Sequence, residues 1–262
     1  MRSVYVSFCA TVRAATLVAS LGLAATACGT KDAADPLQPS GPTGRIRFVN
    51  LITDPGRNPV NAILEGIPFG VNLAYTGTTP SSLPAPATAL YSAILTGNRT
   101  LVLKKTADTA VTVATLTVDI AADNDYTVYA TGGTAGGAVS SFTLPDVNSA
   151  VTAGRTRVRV VNMSPTAGAI DVFITAPNAD LTTATPVATA VAYRAASSYG
   201  DLAPGTYQVR AVPAGTPAAS RPGAVTINLA DVVLTAGTGR TVVTADNTTG
   251  GAPLRAFVLS DQ

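Results

Sequence analysis

The sequence predicts an all-β protein in which two tandem antiparallel β-sandwich domains of immunoglobulin-like size follow a signal peptide and a flexible stalk. Three observations lead to this prediction. Short runs rich in Thr and Val alternate between apolar and polar residues, which is typical of half-buried strands. The same order of motifs occurs twice, which indicates two copies of one domain. The first 44 residues have the composition of an export leader and a linker.

Residues 1–27 are expected to form the signal peptide. Arg2 and Arg13 supply positive charge ahead of an apolar segment at residues 14–27. That segment is long enough for a secretory signal but short for a membrane span. Small residues then lead directly into Cys28, and this arrangement resembles the lipobox of bacterial lipoproteins.

The resemblance to a lipobox implies that Cys28 carries a lipid and tethers the protein to a membrane. Ala25 stands where lipoproteins usually have Leu, and residues 25–27 (ATA) also fit an ordinary A-x-A cleavage site. Plain secretion with an unmodified Cys28 therefore stays open. Residues 28–44 are rich in Pro and Gly and should form a flexible stalk. Gly29 follows the cysteine, which by analogy with enteric bacteria favours the outer membrane or the cell surface.

The two domains are predicted at residues 45–147 and 155–262. Their openings match, because residues 45–50 read RIRFVN and residues 157–162 read RVRVVN. Tyr91 and Tyr199 each stand six residues before a glycine, and the last segment of each copy ends in Asp. Because the linker is short, we expect little hinge motion and an elongated two-domain arrangement. The Ala-rich residues 184–196 could instead form a short helix.

The second copy resembles the family known as domain of unknown function 4397 (DUF4397). Residues 157–165 (RVRVVNMSP) and 169–173 (AIDVF) match its opening pattern, and residues 199–211 resemble its second hallmark, a Leu-Pro-Ala-Gly-Thr-Tyr-like turn and strand. The first copy is degenerate, because residues 51–55 (LITDP) replace the Ser-Pro turn. The resemblance implies a β-sandwich in a secreted or lipid-anchored bacterial protein, and it implies no activity.

Composition excludes several kinds of chemistry. The chain has no His, and its two cysteines are Cys9 and Cys28. Residues beyond 28 therefore cannot form a disulfide, a Cys/His zinc site or a Ser-His-Asp triad. Without Arg2 and Arg13 of the leader, 15 of the 17 basic residues remain and balance 15 acidic ones, so no basic patch is expected for nucleic acid. The sequence predicts a protein that is not an enzyme, needs no cofactor and binds no nucleic acid.

Three aspartates are candidates for ligand contacts. Asp123 and Asp125 could supply oxygen ligands to Ca²⁺, although Asp and Asn are also typical of hairpin turns. Asp171 lies inside an apolar strand. It could contact a ligand, or it could lie on the solvent face and pair with Arg157 or Arg159 of a neighbouring strand.

Tyr199 and Tyr207, together with Tyr193, could form an aromatic platform for sugar, or they could pack in the core. The sequence as a whole favours a non-enzymatic cell-envelope lipoprotein whose sandwiches act as a structural, adhesion or binding module. The alternative is an accessory module that binds carbohydrate or another polymer. The expected partners are the membrane, through the N-terminal lipid, and a protein or polysaccharide ligand.

Overall fold

A computed structural model describes residues 41–80 and 90–261. The predicted signal peptide, Cys28 and most of the predicted stalk lie outside the described residues. Within these ranges the chain is almost entirely β-strand, with two short 3-10 turns at Thr134–Gly136 and Ala218–Ala224. This confirms the all-β class and the sandwich arrangement. No helix in the described ranges is long and apolar enough to cross a membrane.

The first sandwich contains strands β1 to β8. Their bounds are β1 Thr43–Ile52, β2 Val60–Leu64, β3 Ile67–Leu73, β4 Ser92–Leu95, β5 Gly97–Lys105, β6 Asp108–Ile120, β7 Asp125–Gly132 and β8 Val139–Asp146. One sheet, here called the inner sheet, has the strand order β4-β1-β7-β8, and the outer sheet has the order β3-β2-β5-β6.

The second sandwich contains strands β9 to β17. Their bounds are β9 Thr156–Asn162, β10 Ile170–Thr175, β11 Ala188–Val191, β12 Ala195–Ala196, β13 Gly200–Leu202, β14 Gly205–Pro213, β15 Ile227–Leu234, β16 Gly239–Ala245 and β17 Arg255–Ser260. Its inner sheet has the order β12-β9-β16-β17, with β13 also paired to β9, and its outer sheet has the order β11-β10-β14-β15. The strand order of the first sandwich is thus repeated.

Each sandwich buries its own apolar core between its two sheets. Phe48 and Leu101 lie in the first core, and Val160 and Val209 lie in the second. Burying a side chain of this size contributes about 1.5–3 kcal/mol. Each inner sheet also contains one parallel pair at its centre, β1 with β7 and β9 with β16. A period of two cannot reveal strand direction, because parallel and antiparallel strands alternate their side chains in the same way.

The inner sheets of the two sandwiches pack against each other. A separate apolar cluster lies between them, with Val49, Leu51 and Tyr129 from the first sandwich and Met163 and Val243 from the second. The expected elongated arrangement is therefore wrong, because the sandwiches pack face to face rather than end to end. The reason is that each inner sheet is apolar on both sides, and its second apolar side must also be covered.

Two local details differ from what residue types alone suggest. Leu51 faces the other sandwich, whereas Ile46 and Phe48 lie in the core of the first. Between Phe48 and Leu51 the count is odd, so a regular strand puts them on opposite faces. The Ala-rich residues 184–196 form turns and the short strands β11 and β12, not a helix, because edge pairing overrides the helix propensity of Ala.

The asparagine that closes each opening motif has a structural role. Asn50 and Asn162 are fully buried. The Asn50 side chain accepts from the Ile52 amide at 3.1 Å and donates to the Leu73 carbonyl at 2.9 Å. Asn162 likewise donates to the Val191 carbonyl at 2.9 Å. Each asparagine therefore ties its inner sheet to the edge strand of the outer sheet.

Gly70 marks an edge where the two sheets of the first sandwich touch. A Cβ on Gly70 would lie 2.4 Å from Thr79 Cγ2 and 2.8 Å from Leu73 Cδ1. Thr79 cannot turn away freely, because its Oγ1 accepts a hydrogen bond from the Phe48 amide at 3.0 Å. The edge is therefore closed with no room for a methyl group.

We expect Gly70→Ala to lower the free energy of unfolding by about 1–3 kcal/mol, because the added methyl overpacks this edge. Urea unfolding followed by circular dichroism measures the change. Gly223→Ala is the matched control, since no atom lies within 4 Å of its added Cβ. Equal midpoints for the two variants would show that the edge yields without cost.

Candidate functional site

Of the predicted site residues, Cys28 lies outside the described residues, and the aspartates of the proposed calcium loop are placed differently from each other. Asp123 is exposed in a turn. Asp125 is buried, and it accepts hydrogen bonds from Arg45 Nε at 2.6 Å, Arg45 Nη2 at 2.5 Å and Asn148 Nδ2 at 2.6 Å. Among residues 41–80 and 90–261, no group of three or more His, Cys, Asp or Glu is placed to hold a metal ion.

Asp171 is buried on β10 and accepts hydrogen bonds from the backbone of β11 and from the loop that follows β14. One of its carboxylate oxygens accepts from the Ala190 amide at 2.8 Å, and the other accepts from the Gly215 amide at 3.0 Å. Its counterpart Asn61 accepts from the Asn72 amide at 2.9 Å. The expected pairing of Asp171 with Arg157 or Arg159 is wrong, because both arginines lie on β9 in the other sheet.

The structure gives Tyr199 and Tyr207 different surroundings. The Tyr199 ring lies against Arg157 and Arg159, whose guanidinium carbons are 5.1 and 4.8 Å from the ring centre. Burial raises the pKa of Tyr199 to about 12. Tyr207 packs against the second core, and its hydroxyl donates to the Ala203 carbonyl at 2.8 Å. The two rings are thus held by separate protein contacts.

The most elaborate polar site is a group of four buried charges between the inner sheets, here called the interdomain network. It consists of Arg47 and Asp146 from the first sandwich and Arg159 and Asp261 from the second. Arg47 Nη2 lies 2.6 Å from Asp261 Oδ1, and Arg159 Nη2 donates to Asp146 Oδ1. Each arginine therefore pairs with the aspartate of the other sandwich.

Two threonines complete the network. Thr127 Oγ1 accepts from Arg47 Nε at 2.7 Å and donates to Asp146 Oδ2 at 2.5 Å. Thr241 Oγ1 accepts from Arg159 Nε at 2.9 Å and donates to Asp261 Oδ2 at 2.7 Å. The contacts of one sandwich are thus repeated in the other, as expected for an interface that relates two similar faces by a two-fold axis.

The network is electrically balanced and isolated from solvent. The side chains of Arg47 and Asp261 are 4% and 0% exposed. Burial alone lowers the pKa of Arg47, but Tyr91, Asp261 and Asp146 outweigh it and raise that pKa above its ordinary value. The guanidinium therefore remains charged, and removing either partner would leave a buried charge without compensation.

Sequence reasoning missed this network, because residues opposite the core of a single sandwich are normally exposed to solvent. A signal was nevertheless present. Both copies carry Arg at the third position of the opening motif and Asp at the end of the last strand. Charged residues repeated at matching positions in both copies indicate a shared structural role.

A cleft opens at one side of the second sandwich, and strands β15 and β17 form the edges of its two sheets on the opposite side. It has a volume of about 480 Å³ and lies between the edge strand β11 and the short strands β12 and β13. Its floor includes residues of the second core, Val158, Val160, Ala188 and Val191. It has room for a small molecule against apolar side chains.

Residues 44–173 match the model of a family described as domain of unknown function (DUF4397). The match takes in the first sandwich, where the sequence showed the weaker likeness, and continues through β9 into β10. No protein with a curated description matches the sequence. A leucine-rich repeat protein from Bacteroides thetaiotaomicron is similar in structure at 11% identity and a TM-score of 0.20, with 79% of this chain and 26% of that chain covered.

Proposed function

We propose that this chain is a non-enzymatic cell-envelope lipoprotein, exported and tethered through Cys28, whose paired sandwiches act as a structural, adhesion or binding module. The observation that carries the proposal is the interdomain network. Four buried charges that pair across the interface hold the two sandwiches in one register. A body of fixed geometry on the stalk that the sequence predicts suits a module that presents a surface away from a membrane.

The polar residues of the described part support a structural role over catalysis. The aspartates that the sequence marked as candidates accept hydrogen bonds from arginine or from backbone amides. The four network charges are buried against one another. Groups that are neutralised and shielded in this way are poorly placed to exchange protons with a substrate.

We also infer that the second sandwich is a further copy of the DUF4397 domain. Its sheets repeat the strand order of the first sandwich, and its Arg, Asn and Asp residues make the equivalent contacts. The carbohydrate-binding alternative has less support, because the Tyr199 ring lies against arginines and Tyr207 packs on the core. A glycan array that shows specific binding would revive it.

Intact-mass analysis of the membrane fraction tests the anchor. We expect the native chain to begin at Cys28 and to carry a diacylglyceryl group, because the lipid would be attached to the sulfur of Cys28. Cys28→Ala should lose this mass and leave the membrane fraction. Cys9→Ala is the matched control and should keep both, since Cys9 lies in the leader that is removed. A native chain with an unmodified Cys28 would contradict lipidation and favour plain secretion.

A further inference from the structure

The cleft in the second sandwich has a closed counterpart in the first. Ala188 pairs with Val172 in the second sandwich, as Gly70 pairs with Ala62 in the first. Ser197 Oγ accepts from the Val160 amide at 2.9 Å, as Thr79 Oγ1 accepts from the Phe48 amide. Gly70 and Thr79 therefore mark the same two sheet edges as Ala188 and Ser197.

These edges touch in one copy and stand apart in the other. In the first sandwich a Cβ on Gly70 would collide with Thr79. In the second, Ala188 and Ser197 both line the cleft of about 480 Å³. The residue before Gly70 is Phe69, which packs into the first core at 9% exposure, whereas the residue before Ala188 is Val187, which is 43% exposed. Among the residues that the structure describes, these two edges are therefore closed in the first copy and open in the second.

The lining of the cleft defines what could fill it. Most of the residues that line it are Val, Ile, Leu, Ala or Pro, and Thr189, Ser197 and Ser198 add hydroxyl groups beside them. Arg159 is the charged residue of the lining, but its guanidinium donates to Thr241, Asp146 and the Pro145 carbonyl. No free charge is thus offered to a ligand, which disfavours an ionic group.

We propose that this cleft binds an uncharged lipophilic small molecule, with its hydrocarbon part against Val158, Val160 and Val191. The volume lies within the range of about 300–1000 Å³ that is usual for ligand pockets. The hydroxyls of Ser198 and Thr189 can hydrogen-bond a single alcohol or ester group of the ligand. This inference rests on the binding role proposed above and gives that role a ligand class, but it does not depend on the lipid at Cys28.

Titration with 1-octanol and 1-decanol, followed by methyl NMR of the full chain carrying Cys28→Ala, tests the proposal. We expect saturable shifts at the valines of the cleft. Affinity should rise about fourfold for each added methylene, because each buried CH₂ contributes a constant increment. Decanol should therefore bind about 16-fold more tightly than octanol. Decanoate should bind more weakly than decanol, because its carboxylate would have to be desolvated without a partner.

Val187→Phe should abolish decanol binding, because it supplies in the second sandwich the ring that Phe69 supplies in the first. Val233→Phe adds the same ring on β15, at a side chain that is 64% exposed and lies outside the cleft. This control variant should bind decanol as tightly as the native protein does. Ser197→Thr is a milder second variant that keeps the hydroxyl and adds the methyl of Thr79, and it should weaken binding.

Absence of saturable shifts, or equal binding by the Val187→Phe and Val233→Phe variants, would overturn the proposal. Tighter binding of decanoate than of decanol would also overturn it, since the ligand class would then be anionic. These outcomes leave the proposed membrane tether untouched, because the tether is measured separately by the mass at Cys28.

Discussion

Arg47→Ala is expected to lower the free energy of unfolding by about 3–5 kcal/mol, which is typical when one partner of a buried ion pair is removed. The Asp261 carboxylate would lose its contact with Arg47 Nη2 at 2.6 Å and keep Thr241. It would then be a buried charge without a counter-ion between the two inner sheets. Urea unfolding followed by circular dichroism provides the measurement.

Arg45→Ala is the matched control, because Arg45 lies two residues earlier on the same strand. It also pairs with an aspartate, but its side chain is 54% exposed. Solvent screens the Arg45 end of this pair, and Asn148 still donates to Asp125, so the expected loss is about 1 kcal/mol or less. If the two variants were equally stable, the network would not be what holds the interface.

The double variant Arg47→Met, Asp261→Leu separates charge from packing. Replacing a buried pair by apolar residues of similar size is often neutral or stabilising. We therefore expect this variant to be more stable than Arg47→Ala alone. That result would mean that apolar contacts can supply the stability of the interface and that the cost of Arg47→Ala comes from the buried charge left without its partner.

Tyr129→Ala is expected to cost about 3–5 kcal/mol, because it opens a cavity at the centre of the interdomain interface. Tyr129 is fully buried, and its ring stacks on Phe142 at a centroid distance of 6.4 Å. The matching position in the second sandwich holds the smaller Val243. A large residue on one face thus packs beside a small one on the other, and losing the large one leaves a gap.

Tyr129→Phe is the control that keeps the ring. The Tyr129 hydroxyl is buried and has no hydrogen-bond partner among the described residues. Removing a buried polar group without a partner should be neutral or slightly stabilising. Unfolding midpoints of the two variants test the argument, which would fail if Phe were as destabilising as Ala.

The alternation of residues along single strands was a good guide where a strand faces its own core. Tyr207, Val209 and Ala211 alternate with Thr206, Gln208 and Arg210 along the chain, and they pack together in the second core. The same pattern could not predict the burial of Arg47 and Arg159. It shows that their side chains point away from the core of their own sandwich, and they are buried because the other inner sheet packs on that side.

The candidate site was less accessible to sequence reasoning than the fold. Asp171 was correctly singled out as a polar residue in an apolar strand, but its partners are the backbone amides of Ala190 in β11 and Gly215 in the loop after β14, 19 and 44 residues further along the chain. A backbone amide has no sequence signature, so this pairing could not be read from residue types. The cleft was hidden for a similar reason, because the spacing between two sheet edges depends on side chains from both.

By itself, the sequence determined the all-β class, the repeat of motifs and which face of most strands is apolar. These features depend on periodicity along short stretches of chain. Only the tertiary structure decided that the inner sheets pack face to face and that Arg47 and Arg159 each pair with the aspartate of the other sandwich. It also decided that the sheet edges touch in the first sandwich and leave a cleft in the second. These features arise from contacts between residues up to 214 positions apart. Their energies depend on burial and complementarity at an interface that local patterns do not encode.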